Sequence, residues 1–417
     1  MSLSTQPYKG ARDFYPEDKR IQKYMFGKLR EVVESFGYQE YDAPILESFD
    51  IYAAKSGEEI VNEQLYSFED KGGRKVAIRP EMTPSVSRMV AARRQELPYP
   101  LRLYSIPNLW RYERPQRGRL REHNQLNVDL FGVEGLDGDA EIIQVADAIL
   151  KSFGAKSSDY EIRINSRGYM NQQFESFGLS DDQKHLCLKL LDKQSKIEPN
   201  EFEKMFIEKL GDGKGSQLLN FLKSEEVPKP VAELLRVLNL SGVESAAYDP
   251  AIVRGLDYYT DIIFEVFDTD PENNRSMFGG GRYDGLVGLF GAEPVPTVGF
   301  GMGDVTLQNF LEAHGLLPGL GPETDAAAIL IGDVYAKAQA VVGEFRKSGL
   351  KIAVDSSGRK LDAQIRSAVK SGVRYAIFIG EKELQSGRFQ LRDLKNGTEK
   401  ELPKGDIVSA IQESRAG

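Results

Sequence analysis

Between Arg111 and Arg121 the chain places five arginines in eleven residues, interrupted by Pro115-Gln116 and by Gly118. Guanidinium groups at that density cannot enter a core, since each would need its own partner away from water. Downstream, Leu126, Val128 and Leu130 alternate with Gln125, Asn127 and Asp129, and Phe131 follows. Period two marks a half-buried strand, so the segment is predicted to form two extended arms joined by a turn. An in-register hairpin sets Arg111 on the same face as Gln125, Asn127 and Asp129. Such a face is costly to desolvate without ligands or partners, which suits the lining of a site better than a core. Planar, permanently charged forks point to phosphate, and so to a nucleotide. The competing reading of the run is a solvated, charge-mixed hairpin.

At 417 residues two or three domains are expected, each large enough for its own core. Hydrophobic residues at 41% and charged residues at 28% are ordinary for a soluble globular protein, and no stretch of about eighteen apolar residues is available to span a bilayer. Met1 to Gly10 lack a charged start followed by an apolar run, so a cytoplasmic location without membrane association is expected. Cys187 is the only cysteine, which excludes an intrachain disulfide and a thiolate metal cluster; its apolar-periodic surroundings predict a core position. The three histidines, His123, His185 and His314, are far apart in sequence, and no metal site is expected from them. Charge is uneven: from Asp325 to Gly417 there are 16 lysines and arginines against 12 aspartates and glutamates, although the whole chain carries -9. The last segment is therefore the first place to look for contact with a polyanion, with a solvated surface as the alternative.

Along the chain, Glu17 to Phe36 has helical spacing with Gly37 as its stop, and Tyr38 to Leu46 reads as an edge or interface strand because Pro44 removes a ladder donor. Val76 to Arg79 and Leu101 to Ile106 read as strands around a helix from Pro84 to Ala92. A helix from Ala140 to Lys151 and a strand from Tyr160 to Ile164 follow. An antiparallel sheet flanked by helices fits this half. From about Gly168 to Gly242 the pattern is helical and charged. The Gly- and Pro-rich run Leu316 to Glu323 reads as a linker. Beyond it, strands Ala326 to Ile331, Lys351 to Val354 and Tyr375 to Ile379 alternate with helices Ala336 to Arg346 and Leu361 to Lys370. That alternation predicts a mainly parallel, covered sheet.

Four stretches in order carry a family resemblance: Arg79-Pro80-Glu81-Met82-Thr83, the arms and turn from Arg111 to Gly132, Val253-Arg254-Gly255-Leu256-Asp257-Tyr258-Tyr259, and Gly279-Gly280-Gly281-Arg282-Tyr283-Asp284-Gly285-Leu286. Together they resemble the histidyl-tRNA synthetases, class II aminoacyl-tRNA synthetases, over nearly the whole chain. The resemblance implies an α+β catalytic domain on an antiparallel sheet at 1–323, with a helical insertion at about 168–242, and a C-terminal α/β anticodon-binding domain at 324–417. It implies a homodimer formed through the region around Tyr38 to Leu46. It also implies a reaction in which ATP and L-histidine give histidyl-adenylate and pyrophosphate, followed by transfer of histidine to the 3' end of tRNA(His). Magnesium enters with ATP.

By the same resemblance Arg111 and Arg254 are the catalytic arginines at the α-phosphate and substrate carboxylate. Glu81 and Thr83 hold the α-ammonium, and Gln125, Asp129, Tyr258 and Tyr259 line the imidazole pocket. Glu113, Arg121 and Arg282 join Arg111 around ATP, the glycines at 279 to 281 let the backbone approach the adenylate, and Gln116 meets the acceptor end of tRNA. Two positions depart from the pattern. Val305-Thr306 stands where the class has Glu-Arg, and His123 replaces another aromatic residue. The missing arginine keeps a second reading in view, a non-catalytic synthetase-like regulatory subunit of histidine biosynthesis. A class II synthetase for another amino acid is a third, which should not carry both the RGLDYY and GGGRYDGL stretches.

Overall fold

The predicted strand after the arginines is Glu122–Phe131, and it lies inside a nine-stranded sheet formed by the described residues. The computed structural model describes residues 3–54, 60–191, 197–223, 226–253, 258–273 and 275–416. Strand order is Gln39–Glu40, Leu101–Ser105, Glu122–Phe131, Thr297–Gly303, Ser276–Arg282, Ile262–Asp268, Tyr160–Ser166 and Ala246–Tyr248, with Asn108–Trp110 paired to the start of Glu122–Phe131. The inner pairings are antiparallel, and the two edge strands pair in parallel.

Alternation divides this sheet into two unlike faces. Leu126, Val128, Leu130, Val298, Phe300, Met302, Phe264 and Val266 are buried on one. Helices Leu136–Ser152 and Asp304–Ala313 cover them, with Ile142, Ile149, Leu307 and Phe310 buried in turn. Each such side chain contributes about 1.5–3 kcal/mol of transfer free energy, so this layer holds the sheet. The other face carries polar side chains and glycines at its centre. Gln125 pairs with Gly303, Asn127 with Gly301 and Asp129 with Gly299, while Gly301 pairs with Gly279 on the next strand.

The run Tyr38 to Leu46 does not form one strand. Gln39–Glu40 joins the edge of the large sheet, whereas Leu46–Ser48 pairs with Lys75–Ile78 in a separate three-stranded sheet. The break lies where Arg79, almost fully buried, donates to Asp42 Oδ1 at 2.9 Å and to Ala43 O at 2.6 Å, just before Pro44. Proline without an N–H then stands in neither ladder.

The region after Tyr160–Ser166 is helical as predicted: Arg167–Ser176, Asp181–Leu191, Pro199–Leu210, Asp212–Leu222 and Lys229–Leu240. It has its own core of Met170, Phe174, Cys187, Leu190, Phe202, Phe206 and Leu218. Burial pushes the Cys187 thiol up to about 12, so it packs as a small apolar group.

The described chain divides into two compact units, Met1–Asp13 with Gln22–Leu317, and Phe14–Ile21 with Pro318–Gly417. The sheet of the second runs Ile352–Val354, Ala326–Leu330, Tyr375–Ile379, Arg388–Asp393 and Glu399–Pro403. Its first three strands are parallel, as the alternation predicted; the last two form an antiparallel hairpin that the charged pattern of 388–403 concealed. Ala326, Ala328, Phe345, Ile377, Phe389 and Ile407 share one core, and Ile329, Ala368, Ala376 and Phe378 the other. Gln364 reaches from helix Leu361–Lys370 to both the N–H and the O of Leu330, at 2.9 and 3.0 Å, and so satisfies a strand end. No helix among the described residues is long and apolar enough to cross a membrane.

Candidate active site

The polar face of the large sheet is the floor of a cleft of about 980 Å³. Glycine makes that floor possible. A Cβ at Gly301 would stand 2.4 Å from Gln125 Nε2, and one at Gly299 would stand 2.5 Å from Asp129 Oδ1 and 2.6 Å from Val128 O. Gln125 and Asp129 therefore lie down across the neighbouring strand. Gly280 serves a different end: its Cβ would meet Gly299 O at 2.0 Å, so it permits close strand packing, while Gly279 lines the cleft.

Asp129 is 2% exposed, and burial pushes its carboxyl up to about 7. Tyr283 OH donates to its Oδ1, and the buried Tyr41 hydroxyl is close enough to favour the ionised carboxyl, although Oδ2 has no well-formed hydrogen bond among the described residues. A buried carboxylate lining a cleft is a receptor for an N–H donor. Tyr258 OH lies 3.3 Å from Glu81 Oε2, and its ring packs 4.9 Å from Tyr259 and 5.6 Å from Tyr283. Glu81, Thr83, Gln125, Asp129, Tyr258 and Tyr259 thus all line one cleft, although they come from three separate stretches of sequence.

Arg111 also lines it, and shares a face with Gln125 as the hairpin register predicted. Trp110 pairs with Glu122, and Arg111 N donates to Arg121 O at 2.9 Å. Its Nε donates to Pro80 O at 2.9 Å, which ties the arm to the loop carrying Glu81. His123 lies nearby; burial first, then the Arg111 and Arg12 charges, push its imidazole down to about 3, so it is neutral. Glu113 lines the cleft with its carboxylate 3.7 Å from Arg119 NH1. Thr306 lines it too, with its hydroxyl 2.8 Å from Met277 O and 3.1 Å from Gly303 O. It serves as a backbone tie where the class has a cation.

Other expected residues stand elsewhere. Arg282 is corrected outright: it is on the helix-covered face, where its NH2 meets Asp139 Oδ2 at 2.7 Å and Gly135 O at 2.7 Å. Alternation puts residue 282 opposite in sense to Gly279, so its side chain cannot share the cleft floor. Arg121 is not among the cleft-lining residues; its guanidinium stacks 3.9 Å from the Tyr112 ring centroid and donates to Tyr8 OH at 3.0 Å. Gln116 is exposed at the loop tip and accepts from Arg275 NH1 at 3.2 Å. Arg254, with Gly255, Leu256 and Asp257, lies outside the described residues.

The sequence reading missed part of the lining. Asn62, Glu63 and Gln64 come from the π-helical turn Ile60–Gln64, Arg167, His185 and Lys189 from the helical insertion, and Glu265 from the sheet. For His185 and Lys189 a signal existed: they are four apart on helix Asp181–Leu191 and so share a face. No local pattern marks the others.

Residues 10–305 match the histidyl-tRNA synthetase family model, and residues 325–414 match that of an anticodon binding domain. A histidine–tRNA ligase of Leptospira biflexa is 42% identical over 99% of this chain and 98% of its own length. One from Thermoplasma volcanium is 37% identical over 99% of each. The crystal structure of histidyl-tRNA synthetase from Nostoc superposes with a TM-score of 0.81 at 23% identity, covering 99% of this chain and 100% of that one. With its ordered glycine floor, its arginine arm and this match along both units, the chain belongs to the histidyl-tRNA synthetase family.

Proposed function

We infer that the chain is a histidine–tRNA ligase, activating L-histidine with ATP and passing the histidyl group to the 3' end of tRNA(His). The observation that carries this is that the buried carboxylate of Asp129 and the amide of Gln125 line the same cleft as Arg111. An imidazole offers a ring N–H to such a carboxylate and a ring acceptor to an amide. A dry pocket built to hydrogen-bond the ring discriminates against residues lacking those groups by about 10⁴ or more. A carboxylate at Asp129 gains from the incoming N–H, which favours the ionised form against the burial that opposes it.

Activation brings the histidine carboxylate against the α-phosphate of ATP, two anions whose added charge needs fixed donors. Arg111 bridges carboxylate and phosphate in this reading, Glu113 meets adenine, and Glu81 with Thr83 receives the α-ammonium. Arg254 is assigned to the α-phosphate from its sequence context alone. ATP arrives as its magnesium complex, so the metal is part of the substrate. The unit containing 324–417 takes the anticodon, Gln116 meets the acceptor end, and the chain works as a cytoplasmic homodimer. The regulatory-subunit reading is the less supported one, since relatives matched along their full length are ligases.

The test is amino-acid-dependent exchange of labelled pyrophosphate into ATP, with each of the twenty amino acids and with Arg111→Ala as control. Exchange with histidine alone, lost in the control, is the expected result. Histidine binding without exchange would instead support the regulatory subunit.

A further inference from the structure

The segment Tyr8 to Ala11 makes a tight turn, with Ala11 N donating to Tyr8 O at 2.9 Å, and runs against the arginine-bearing arms. Gly10 O accepts from Arg121 N at 2.9 Å and from Glu122 N at 3.2 Å. Gly10 has φ +85°, and a Cβ there would stand 2.8 Å from Arg121 Cγ, so both its conformation and its approach require glycine. Tyr8 OH, 3.4 Å from Tyr66 OH, accepts from Arg121 NH1 at 3.0 Å. The same guanidinium stacks on the Tyr112 ring, 3.9 Å from its centroid. The N-terminal segment therefore grips Arg121 by backbone and side chain together.

Arg121 in turn holds two residues of the cleft. Its O accepts from Arg111 N at 2.9 Å, and its Nε donates to Glu113 O at 3.1 Å. Arg111 and Glu113 line the cleft, whereas Arg121 does not. We propose that Tyr8 and Gly10 are positioning residues for nucleotide binding, acting through Arg121 to hold the backbones of Arg111 and Glu113 at the register from which their side chains meet ATP. The proposal rests on the reading of the cleft as an ATP and histidine site. It gives Arg121 a role outside the cleft, as the joint between the N-terminal segment and the nucleotide-binding arm. Arg111 also meets the histidine carboxylate in this reading, but the imidazole pocket of Asp129, Gln125 and Tyr258 is separate and Glu113 serves ATP alone, so ATP binding should suffer more than histidine binding.

The experiment compares wild type, Tyr8→Ala and Tyr8→Phe, measuring ATP and histidine dissociation constants by calorimetry, exchange kinetics, and the emission of Trp110. That residue is the sole tryptophan, and its ring centroid is 6.5 Å from that of Tyr8 and 6.0 Å from that of Tyr66. Tyr8 is 53% exposed, so its truncation removes little core. Losing a charged hydrogen bond and the ring beside it should weaken ATP binding by about tenfold, with histidine affinity within about twofold of wild type. Tyr8→Phe keeps the ring and should fall between, with Trp110 emission nearer wild type. An ATP constant in Tyr8→Ala within about twofold of wild type, or equal losses for both substrates, overturns the proposal. A wild-type chain that binds histidine but no ATP overturns the underlying reading and the proposal with it.

Discussion

Replacing Arg282 by methionine separates the role expected from sequence from the one that the fold imposes. Arg282 and Asp139 are 6% and 1% exposed, and four acceptors surround the guanidinium: Asp139, Val133 O, Gly135 O and, at 3.5 Å, Asp284. Removing the cation leaves a carboxylate uncompensated inside the protein, which costs about 3–5 kcal/mol. Burial already holds Asp139 up at about 6 although the Arg282 charge pulls it down, so without that charge it protonates more readily. The destabilisation should therefore be largest at alkaline pH and shrink as pH falls and the carboxyl becomes neutral. The pair Arg282→Met with Asp139→Leu removes both charges and should recover most of the loss. Urea unfolding at pH 5.5 and 8 for wild type, single and double variants reads these terms, and the ATP constant of the double variant should match wild type. A single variant as stable as wild type, with ATP binding weakened about tenfold, would refute the burial argument and return Arg282 to the nucleotide.

Gly301→Ala and Gly299→Ala should part company. The first meets the end of the Gln125 side chain closely and Asn127 Oδ1 at ordinary contact distance, so it should fold and lose about one substrate hydrogen bond, raising the histidine KM by roughly five- to a hundredfold; the second meets Val128 O and should fail to fold stably, as circular dichroism would show. His123, with its imidazole held near 3, binds fewer protons folded than unfolded between about pH 3 and 6.5, so its contribution to stability is lost as pH falls through that window. His123→Phe should remove that slope, and at pH 5 it should gain about 2 kcal/mol relative to its difference from wild type at pH 8; equal differences at both pH values would reject the assignment. Cys187, fully buried with its thiol raised to about 12, should resist a thiol-reactive dye in the folded protein and react once on unfolding; prompt labelling of the native protein would contradict its packing.

Local patterns carried much of the secondary structure. Period two along Gln125 to Phe131 and the apolar stripe of Leu136–Ser152 are written in consecutive residues, because a strand or a helix buries one face whatever lies beyond it. The same reasoning located Cys187 in a core and the C-terminal alternation of strands and helices. It could not see why Tyr38 to Leu46 breaks, because the cause is Arg79, far along the chain and donating to Asp42 and Ala43. Nor could it see the hairpin Arg388–Asp393 with Glu399–Pro403, whose exposed charged positions mask the alternation.

For the site, the residue types alone determined that arginines, a buried carboxylate and glycine-rich strands would be present, and their order carried the family. Which of them share a cleft was decided by pairing. Asp129 and Gln125 reach the floor because Gly299 and Gly301 stand beside them, and Arg282 turns away because its strand position has the opposite parity to Gly279. Arg121 is claimed by Tyr8 and Tyr112 before any nucleotide is considered. Sequence specifies the chemistry each side chain can perform; the direction it faces, and the partner it meets first, depend on contacts between separate segments, many of them a hundred or more residues apart, which only the folded structure brings together.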